Sequence, residues 1–244
     1  VVEPVSYAVP MPTLEFAMLC LRNAYNLLPS DTAASPVPLL LIPGVTPPAP
    51  PLTPGPAPSS SLSQSSVASL KNSILAASAY VAVSLGDYVL ALEHAQNLLS
   101  QPKISGVHIL LGHLYAAEAL LLMDKITEAL EHLNPENIKD ISLEFPEDSE
   151  EETMKNNPPT NWFPRNMESI QSVLQYNIAV CKTVRGQLDQ ASTLLKKVWQ
   201  GQGPNCRVPA HIIMLVLYIE LQLGHADVAR TLVKQYCFQY KINS

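Results

Sequence analysis

Histidine and cysteine side chains are the groups in this chain best suited to ligate a metal or to act as nucleophiles, and their spacing argues against both roles. No histidines form H-E-x-x-H, and His108 and His113 are five residues apart, too far around a helix to share one metal comfortably. No two cysteines form C-x-x-C, so free thiols in a reducing compartment are expected. The candidates are His94, His108, His113, His132, His211, His225, Cys20, Cys181, Cys206 and Cys237.

Other catalytic signatures are also missing from the sequence. The nine glycines are dispersed and build no phosphate-binding loop, and G-x-S-x-G does not occur. An enzyme would need a buried cluster of mutually hydrogen-bonded polar groups, which these spacings do not provide. We therefore expect a non-enzymatic protein without metal or cofactor, and we interpret each histidine as a packing or surface residue.

The charge balance argues against a nucleic-acid surface. The chain carries a net charge of −6 and only 15 lysines and arginines, which are scattered, whereas phosphate binding requires clustered cations. The most apolar run, 212–223, is short for a membrane span and contains Glu220 and Gln222. The sequence thus predicts neither a nucleic-acid partner nor a membrane.

A short pattern, glycine or aspartate followed five residues later by alanine, occurs four times between apolar segments. It covers residues 86–91, 124–129, 186–191 and 224–229. The first two copies are 38 residues apart, and so are the last two. This interval is close to the roughly 34-residue period of tetratricopeptide repeats. The pattern predicts an all-α fold of helical hairpin repeats in a right-handed solenoid, an architecture that provides binding surfaces. A helical bundle with similar-looking hairpins is the alternative.

Residue types around the pattern explain how each hairpin would close. Gly86, Gly186 and Gly224 are predicted to end a helix in the left-handed conformation, which Asp124 also tolerates. Small residues before and after the turn would let two helices approach closely, with Leu217 as the one exception. They are Ala79, Ala117 and Ala179 before the turn, and Ala91, Ala129, Ala191 and Ala229 after it.

The chain is predicted to have three segments, 1–28, 29–66 and 67–244. Apolar residues at helical spacing predict a helix over 14–28. Such a helix needs a cover, so it either completes a repeat with residues upstream of Val1 or packs on the following array.

Two irregular stretches are predicted. Eleven prolines lie between residues 29 and 58, so 29–66 is predicted to be a disordered Pro/Ser-rich linker. A role as a ligand for a proline-binding domain is the alternative. The four hairpins of 67–244 are predicted to be interrupted at about 134–166 by an acidic loop, either a tolerated insertion or an acidic docking tail.

The first helix of each hairpin is predicted to line a concave groove, at intervals of three to four residues. This lining is apolar and aromatic with one carboxylate, and it lacks the Lys or Arg that would grip a peptide's terminal carboxylate. An amphipathic helix or an extended apolar segment would fit it, or another part of the same chain would fill it. The main candidates are Tyr80, Leu114, Glu118, Tyr176, Val180, Met214 and Tyr218, and the remaining lining residues are Ser73, Ala76, Val83, Leu111, Leu121, Val173, Thr183, His211 and Leu221.

Four stretches are more specific than a generic repeat. They are LEFAMLCLRNA at 14–24, NSILAASAYVA at 72–82, LGHLYAAEAL at 111–120 and LEHLNPEN at 130–137. Together they resemble the C-terminal half of the tetratricopeptide-repeat subunits, subunit ten in the usual count, of the CCR-four–NOT mRNA deadenylase complex. The H-L-N-P-E-N piece is the most specific, and both irregular stretches lie outside the resemblance.

The resemblance implies a non-catalytic scaffold subunit that pairs with subunit eleven and docks on the N-terminal arm of the large scaffold subunit. The implied process is mRNA deadenylation and decay with translational repression, in the cytoplasm and, as a second location, the nucleus. A stand-alone repeat adaptor that binds an apolar helix or peptide in its groove would have the same sequence features. Stoichiometric co-purification with partners would separate the two.

Overall fold

The computed structural model describes residues 11–29, 63–139, 141–142, 167–200 and 208–236. Within this part of the chain there are nine α-helices, one short 3-10 helix and no β-strand. The helices are α1 (Leu14–Leu27), α2 (Gln64–Leu85), α3 (Tyr88–Leu99), α4 (Gly106–Leu122), α5 (Ile126–His132), the 3-10 helix (Pro135–Ile138), α6 (Met167–Val184), α7 (Leu188–Gln200), α8 (Ala210–Gln222) and α9 (Ala226–Tyr236).

Helices α2 to α9 form four consecutive hairpins, in which α2 pairs with α3, α4 with α5, α6 with α7, and α8 with α9. Successive hairpins stack, because α3 also packs against α4 and α7 against α8. The predicted fold class of repeated helical hairpins is confirmed.

Each hairpin turns on one residue in the left-handed conformation. The φ angle is +80° at Gly86, +74° at Gly186, +81° at Gly224 and +61° at Asp124. In all four units the amide of the next residue donates to a carbonyl in the last turn of the first helix, at 2.8 to 3.0 Å. This bond satisfies a carbonyl that the helix end would otherwise leave without a partner. The predicted role of these four residues is confirmed.

The small residues at the hairpin crossings are buried. Ala79, Ala91, Ala179 and Ala191 have no exposed surface, which shows that the facing helix covers each methyl group completely. Such contact requires a side chain no larger than alanine where the helices are closest. Leu217, the exception in the pattern, is only partly buried and packs against the core of the last two hairpins.

The hydrophobic core is continuous between the second and third hairpins. Leu120 of α4, Leu133 after α5, and Ile170 and Leu174 of α6 belong to one buried cluster. Because these side chains share a core, α6 packs on the preceding hairpin even though a long stretch of sequence separates the two units.

The second irregular stretch begins later than predicted. Asn134 caps the 3-10 helix by accepting a hydrogen bond from the amide of Glu136, and Ile138 is only 2% exposed within the shared core. Farther along, the chain at Ser142 passes so close to Gly106 that a Cβ on the glycine would clash with the Ser142 carbonyl oxygen. The predicted start at 134 was therefore wrong, and residues 143–166 of the predicted acidic loop lie outside the described residues.

The predicted linker ends earlier than residue 66. Helix α2 starts at Gln64, and the Ser63 hydroxyl caps it by accepting a hydrogen bond from the amide of Ser66. Residues 30–62 of the predicted linker lie outside the described residues. Among the described helices, α2 alone is long and apolar enough to cross a membrane. However, 44% of its most apolar stretch is buried in the array, and core helices of globular proteins often have the same length and composition.

Helix α1 is present as predicted and lies against α2. Thr13 caps it by accepting from the amide of Phe16, and Met18 packs against the alanine cluster where α2, α3 and α4 meet. The Lys71 ammonium lies 6.0 Å from the centre of the Tyr25 ring. In the described structure no α1 residue is fully buried, so this helix covers the array at its edge.

Replacing Ala91 or Ala191 with tryptophan is expected to unfold the hairpin that contains it. Each alanine is fully enclosed, and overpacking costs about 1–3 kcal/mol even for insertions much smaller than an indole. The free energy of unfolding should fall by at least that amount in urea titrations followed by circular dichroism. Val89→Trp is the matched control, because this α3 side chain is 70% exposed and should tolerate the change. If Ala91→Trp and Ala191→Trp were both as stable as the parent, this packing of the hairpins would be contradicted.

Candidate protein-binding groove

Neighbouring first helices are staggered in a regular way. Three contacts join them: Ser73 with His108 at 3.3 Å, the rings of Tyr80 and Tyr115 with centroids 6.1 Å apart, and those of Tyr176 and His211 at 5.0 Å. Each pair is 35 residues apart in sequence, whereas equivalent repeat positions are 38 apart. Within the first two hairpins, and again within the last two, the later first helix is thus offset by three residues, about one turn, relative to the earlier one.

Four of the seven candidate side chains are exposed on this surface. Tyr80 of α2 is 55% exposed, Met214 of α8 is 66% exposed, and Tyr218 is 50% exposed. Glu118 of α4 is exposed at the repeat position that Tyr80 and Tyr218 occupy in their own units.

The other three candidates are partly buried and support the groove from beneath. Leu114 packs against the core shared by the second and third hairpins. Tyr176 packs against the core of the last two hairpins and meets His211 edge-on, with the two ring planes at 78°. Val180 is half-buried on the same helix. These residues hold neighbouring helices together and offer only part of their surface to a partner.

One further lining prediction was wrong. Ala76 is 6% exposed and belongs to a buried cluster with Leu75 and Leu98, against which Leu111 packs. The three-residue stagger explains this, since it brings α4 over the position that would otherwise face the groove.

The structure also adds residues that the repeat register does not select. Tyr115 lies beside Tyr80 and directly follows the predicted lining residue Leu114 in the sequence. Its 35-residue spacing from Tyr80 is the signal that could have identified it. Leu122 and Val184, near the C-terminal ends of α4 and α6, are 49% and 57% exposed, and they extend the apolar surface toward Leu221.

The electrostatics of the groove favour uncharged groups. Desolvation raises the pKa of Glu118, so its carboxyl group is more easily neutralised than a free one. Burial raises the pKa of Tyr176. The pKa of Tyr115 is also raised, mainly by burial and to a smaller extent by the nearby Tyr80 and Glu118. Burial lowers the pKa of His211, which favours the neutral ring. The surface can therefore bind apolar and aromatic groups, and it lacks a cation at the predicted lining positions.

A close pair of histidine side chains lies inside the second hairpin. Nδ1 of His113 on α4 is 3.0 Å from Nδ1 of His132 on α5, so one ring donates a hydrogen bond to the other. Burial lowers the pKa of His113 to about 4, with a smaller contribution from the neighbouring His132. Among the described residues no three metal-ligating side chains come together, and this pair acts as a packing contact between the two helices. His113 and His132 are 19 residues apart in sequence, so spacing along one helix gave no signal for this pair.

Comparison with known families gives a specific match. Residues 69–227 match the CNOT10 tetratricopeptide repeat domain family. This range begins at the sixth residue of α2 and ends at the second residue of α9, so it includes nearly all of α2 and the whole of the other three first helices that line the groove.

Several curated relatives are similar over nearly the whole chain. "CCR4-NOT transcription complex subunit 10-A" of Xenopus laevis is 34% identical over 258 residues, which is 94% of this chain and 34% of that protein. "CCR4-NOT transcription complex subunit 10" of Danio rerio is 34% identical over 264 residues, covering 96% of this chain and 42% of that protein. The corresponding subunit of Drosophila melanogaster is 34% identical over 91% of this chain and 34% of its own length. The chain thus spans about a third to two fifths of these relatives.

One solved structure has a similar backbone. The apo form of RapI matches 70% of this chain and 43% of its own chain, with a TM-score of 0.50 and 14% sequence identity. At this identity the likeness concerns the fold alone, and it agrees with the repeated helical hairpins.

Acidification is expected to destabilise the fold through His113. Its pKa is about 4 when folded, against an ordinary value of 6.5, so between these values the unfolded chain binds more protons than the native one. The free energy of unfolding should therefore fall as the pH drops from 6.5 toward 4 and level off below it, by about 1–2 kcal/mol given the ring's partial exposure. Urea titrations at several pH values measure this slope.

His113→Gln should reduce the slope without abolishing it, since burial also lowers the pKa of other histidines. A glutamine variant with the parental pH dependence would show that the histidine pair is not responsible. The remaining contributors are His94, His108, His132 and His211.

Proposed function

The chain belongs to the CNOT10 tetratricopeptide repeat family, and we propose that it is a non-catalytic scaffold subunit of the CCR4-NOT complex. The relatives that it matches over more than nine tenths of its length are named as subunit 10 of that complex. Helical-repeat architecture supports this role, because stacked hairpins present an extended surface for other proteins.

The row of exposed apolar side chains on the first helices carries the proposal. Tyr80, Met214 and Tyr218 are each at least half exposed, and Leu122 and Val184 continue the surface. Exposed apolar side chains on the same set of helices suit an interaction site, since monomeric proteins rarely leave a large apolar patch open to water. Exposed tyrosines beside half-buried ones also suit the clustered anchors in which interface energy concentrates.

The partners that we propose are the N-terminal arm of the large scaffold subunit and subunit eleven of the complex. In that setting the protein would contribute to mRNA deadenylation and decay, translational repression and RNA-mediated gene silencing. The corresponding location is the cytoplasm, with the nucleus as a second site. No direct contact with nucleic acid is part of this proposal, because the groove contains one carboxylate and no cation at its predicted lining positions.

Truncating both exposed anchors of α8 tests the groove. Met214→Ala with Tyr218→Ala should weaken binding to the scaffold subunit or to subunit eleven by about thirtyfold or more, since a single hot spot contributes about 2 kcal/mol. Both side chains are at least half exposed, so the melting temperature should not change. Tyr176 is a poorer choice, because its ring packs against His211 and the core. Isothermal titration with each purified partner gives the affinity.

A matched control removes exposed apolar groups from second helices instead. Val89 of α3 and Val233 of α9 are 70% and 41% exposed, and their alanine variants should bind as the parent does. Parental affinity of the folded α8 variant for both partners would exclude the groove and make α1 or the convex face the docking candidate. If the chain bound a short apolar peptide but formed no stoichiometric complex with either subunit, the stand-alone adaptor would be favoured.

A further inference from the structure

A cavity of about 220 Å³ lies between α7, α8 and α9. Its α8 residues, Val216, Ile219 and Glu220, lie about half a turn from the groove residues Met214 and Tyr218 on the same helix. The cavity and the groove therefore open on different sides of the array, so a ligand in the cavity would leave the groove free.

The cavity combines apolar walls with a buried carboxylate. Leu195 and Ile219 form part of the walls, and the Trp199 indole is fixed edge-on by Tyr236 with ring centroids 4.9 Å apart. The side chain of Glu220 is only 7% exposed. Its Oε1 accepts from the Ser192 hydroxyl at 3.2 Å and its Oε2 from Nδ1 of His225 at 2.8 Å.

The polar pair in this cavity replaces an apolar pair elsewhere in the repeats. Ser192 and Glu220 occupy the positions that Leu92 and Leu120 hold relative to the turns of the first two hairpins. There, Leu120 is 2% exposed and Leu92 packs against its cluster, so carbon fills the space between the helices. A serine and a glutamate at the same two positions leave an acidic group facing an open cavity.

We propose that this cavity binds an arginine side chain of a partner protein. An ionised carboxylate has about four lone-pair sites, and Ser192 and His225 use two of those on Glu220. A guanidinium can donate to the remaining ones while its methylene stem contacts Leu195 and Ile219. The lining also includes the Trp199 indole, a ring type with which guanidinium groups interact favourably.

The charge of the chain agrees with this occupant. The chain has a net charge of −6, which attracts cationic partners over long range. Lys196 also lines the cavity, but its side chain is exposed and can extend into water. The other described wall residues are uncharged apart from Glu220, so a carboxylate or phosphate ligand would face the wrong charge.

The test compares n-propylguanidinium with n-propylurea, which has the same number of heavy atoms but no charge. Each is titrated into the chain while the indole N–H resonance of Trp199 is followed, after assignment with Trp162→Phe. We expect saturable binding of the guanidinium and affinity at least about tenfold weaker for the urea. Equal affinity for the two compounds, or no saturable shift with the guanidinium, would overturn the proposal.

Variants identify the group that recognises the charge. Glu220→Gln keeps the shape of the side chain and should weaken guanidinium binding about tenfold or more, whereas Glu118→Gln removes the same charge from the groove and should leave binding unchanged. Should Glu220→Gln fail to fold, Ser192→Leu with Glu220→Leu restores the apolar pair of the earlier hairpins and should fold without binding the guanidinium. Binding at parental affinity in either folded variant would refute the role of Glu220. None of these measurements uses the subunits of the complex, so their failure is distinct from failure of the proposed scaffold function.

Discussion

The close approach of the two helices in every hairpin is the constraint on which the rest of this structure depends. A left-handed residue such as Gly86 reverses the chain, and Ala91, five residues later, lets the returning helix touch the first. Because both residues lie within about one turn, the direction and the distance of the second helix are set together. Each hairpin then presents a flank of fixed shape on which the next hairpin stacks. A larger side chain at the crossing would displace every contact that the following unit makes.

The groove is a consequence of that regular stacking. Because α4 is offset by one turn from α2, and α8 from α6, the ring of Tyr80 meets Tyr115 and that of Tyr176 meets His211. These ring contacts join adjacent units, while Tyr218 and part of Tyr80 stay exposed. The same helices thus build the core with one side and the proposed binding surface with the other. Rigid presentation of aromatic anchors lowers the entropy that binding would cost, which suits a scaffold.

Features with a local cause could be predicted from the sequence, and those set by neighbouring helices could not. The left-handed conformation of Asp124 follows from its own backbone preference and its place in the repeat. Burial of Ile138 depends on space that α4, α5 and α6 leave between them, which no short pattern encodes. The stagger that buries Ala76 arises between units. The composition of the groove was therefore predictable, whereas the accessibility of each of its residues had to come from the packed structure.

Positions at which one repeat differs from the others are informative, because the residues that the other repeats share there are sufficient for packing. At the positions of Leu92 and Leu120 packing is satisfied by two leucines, so stability gives no reason for Ser192 and Glu220 at the equivalent places. Burying a carboxylate costs free energy unless hydrogen bonds replace its water, and replacing a buried polar pair by apolar residues is often neutral or stabilising. A sequence read only for apolar runs treats Glu220 as an interruption in a buried helix. Aligned on the turns, it is an acid placed at a core position beside a cavity, which ligand recognition explains and packing does not.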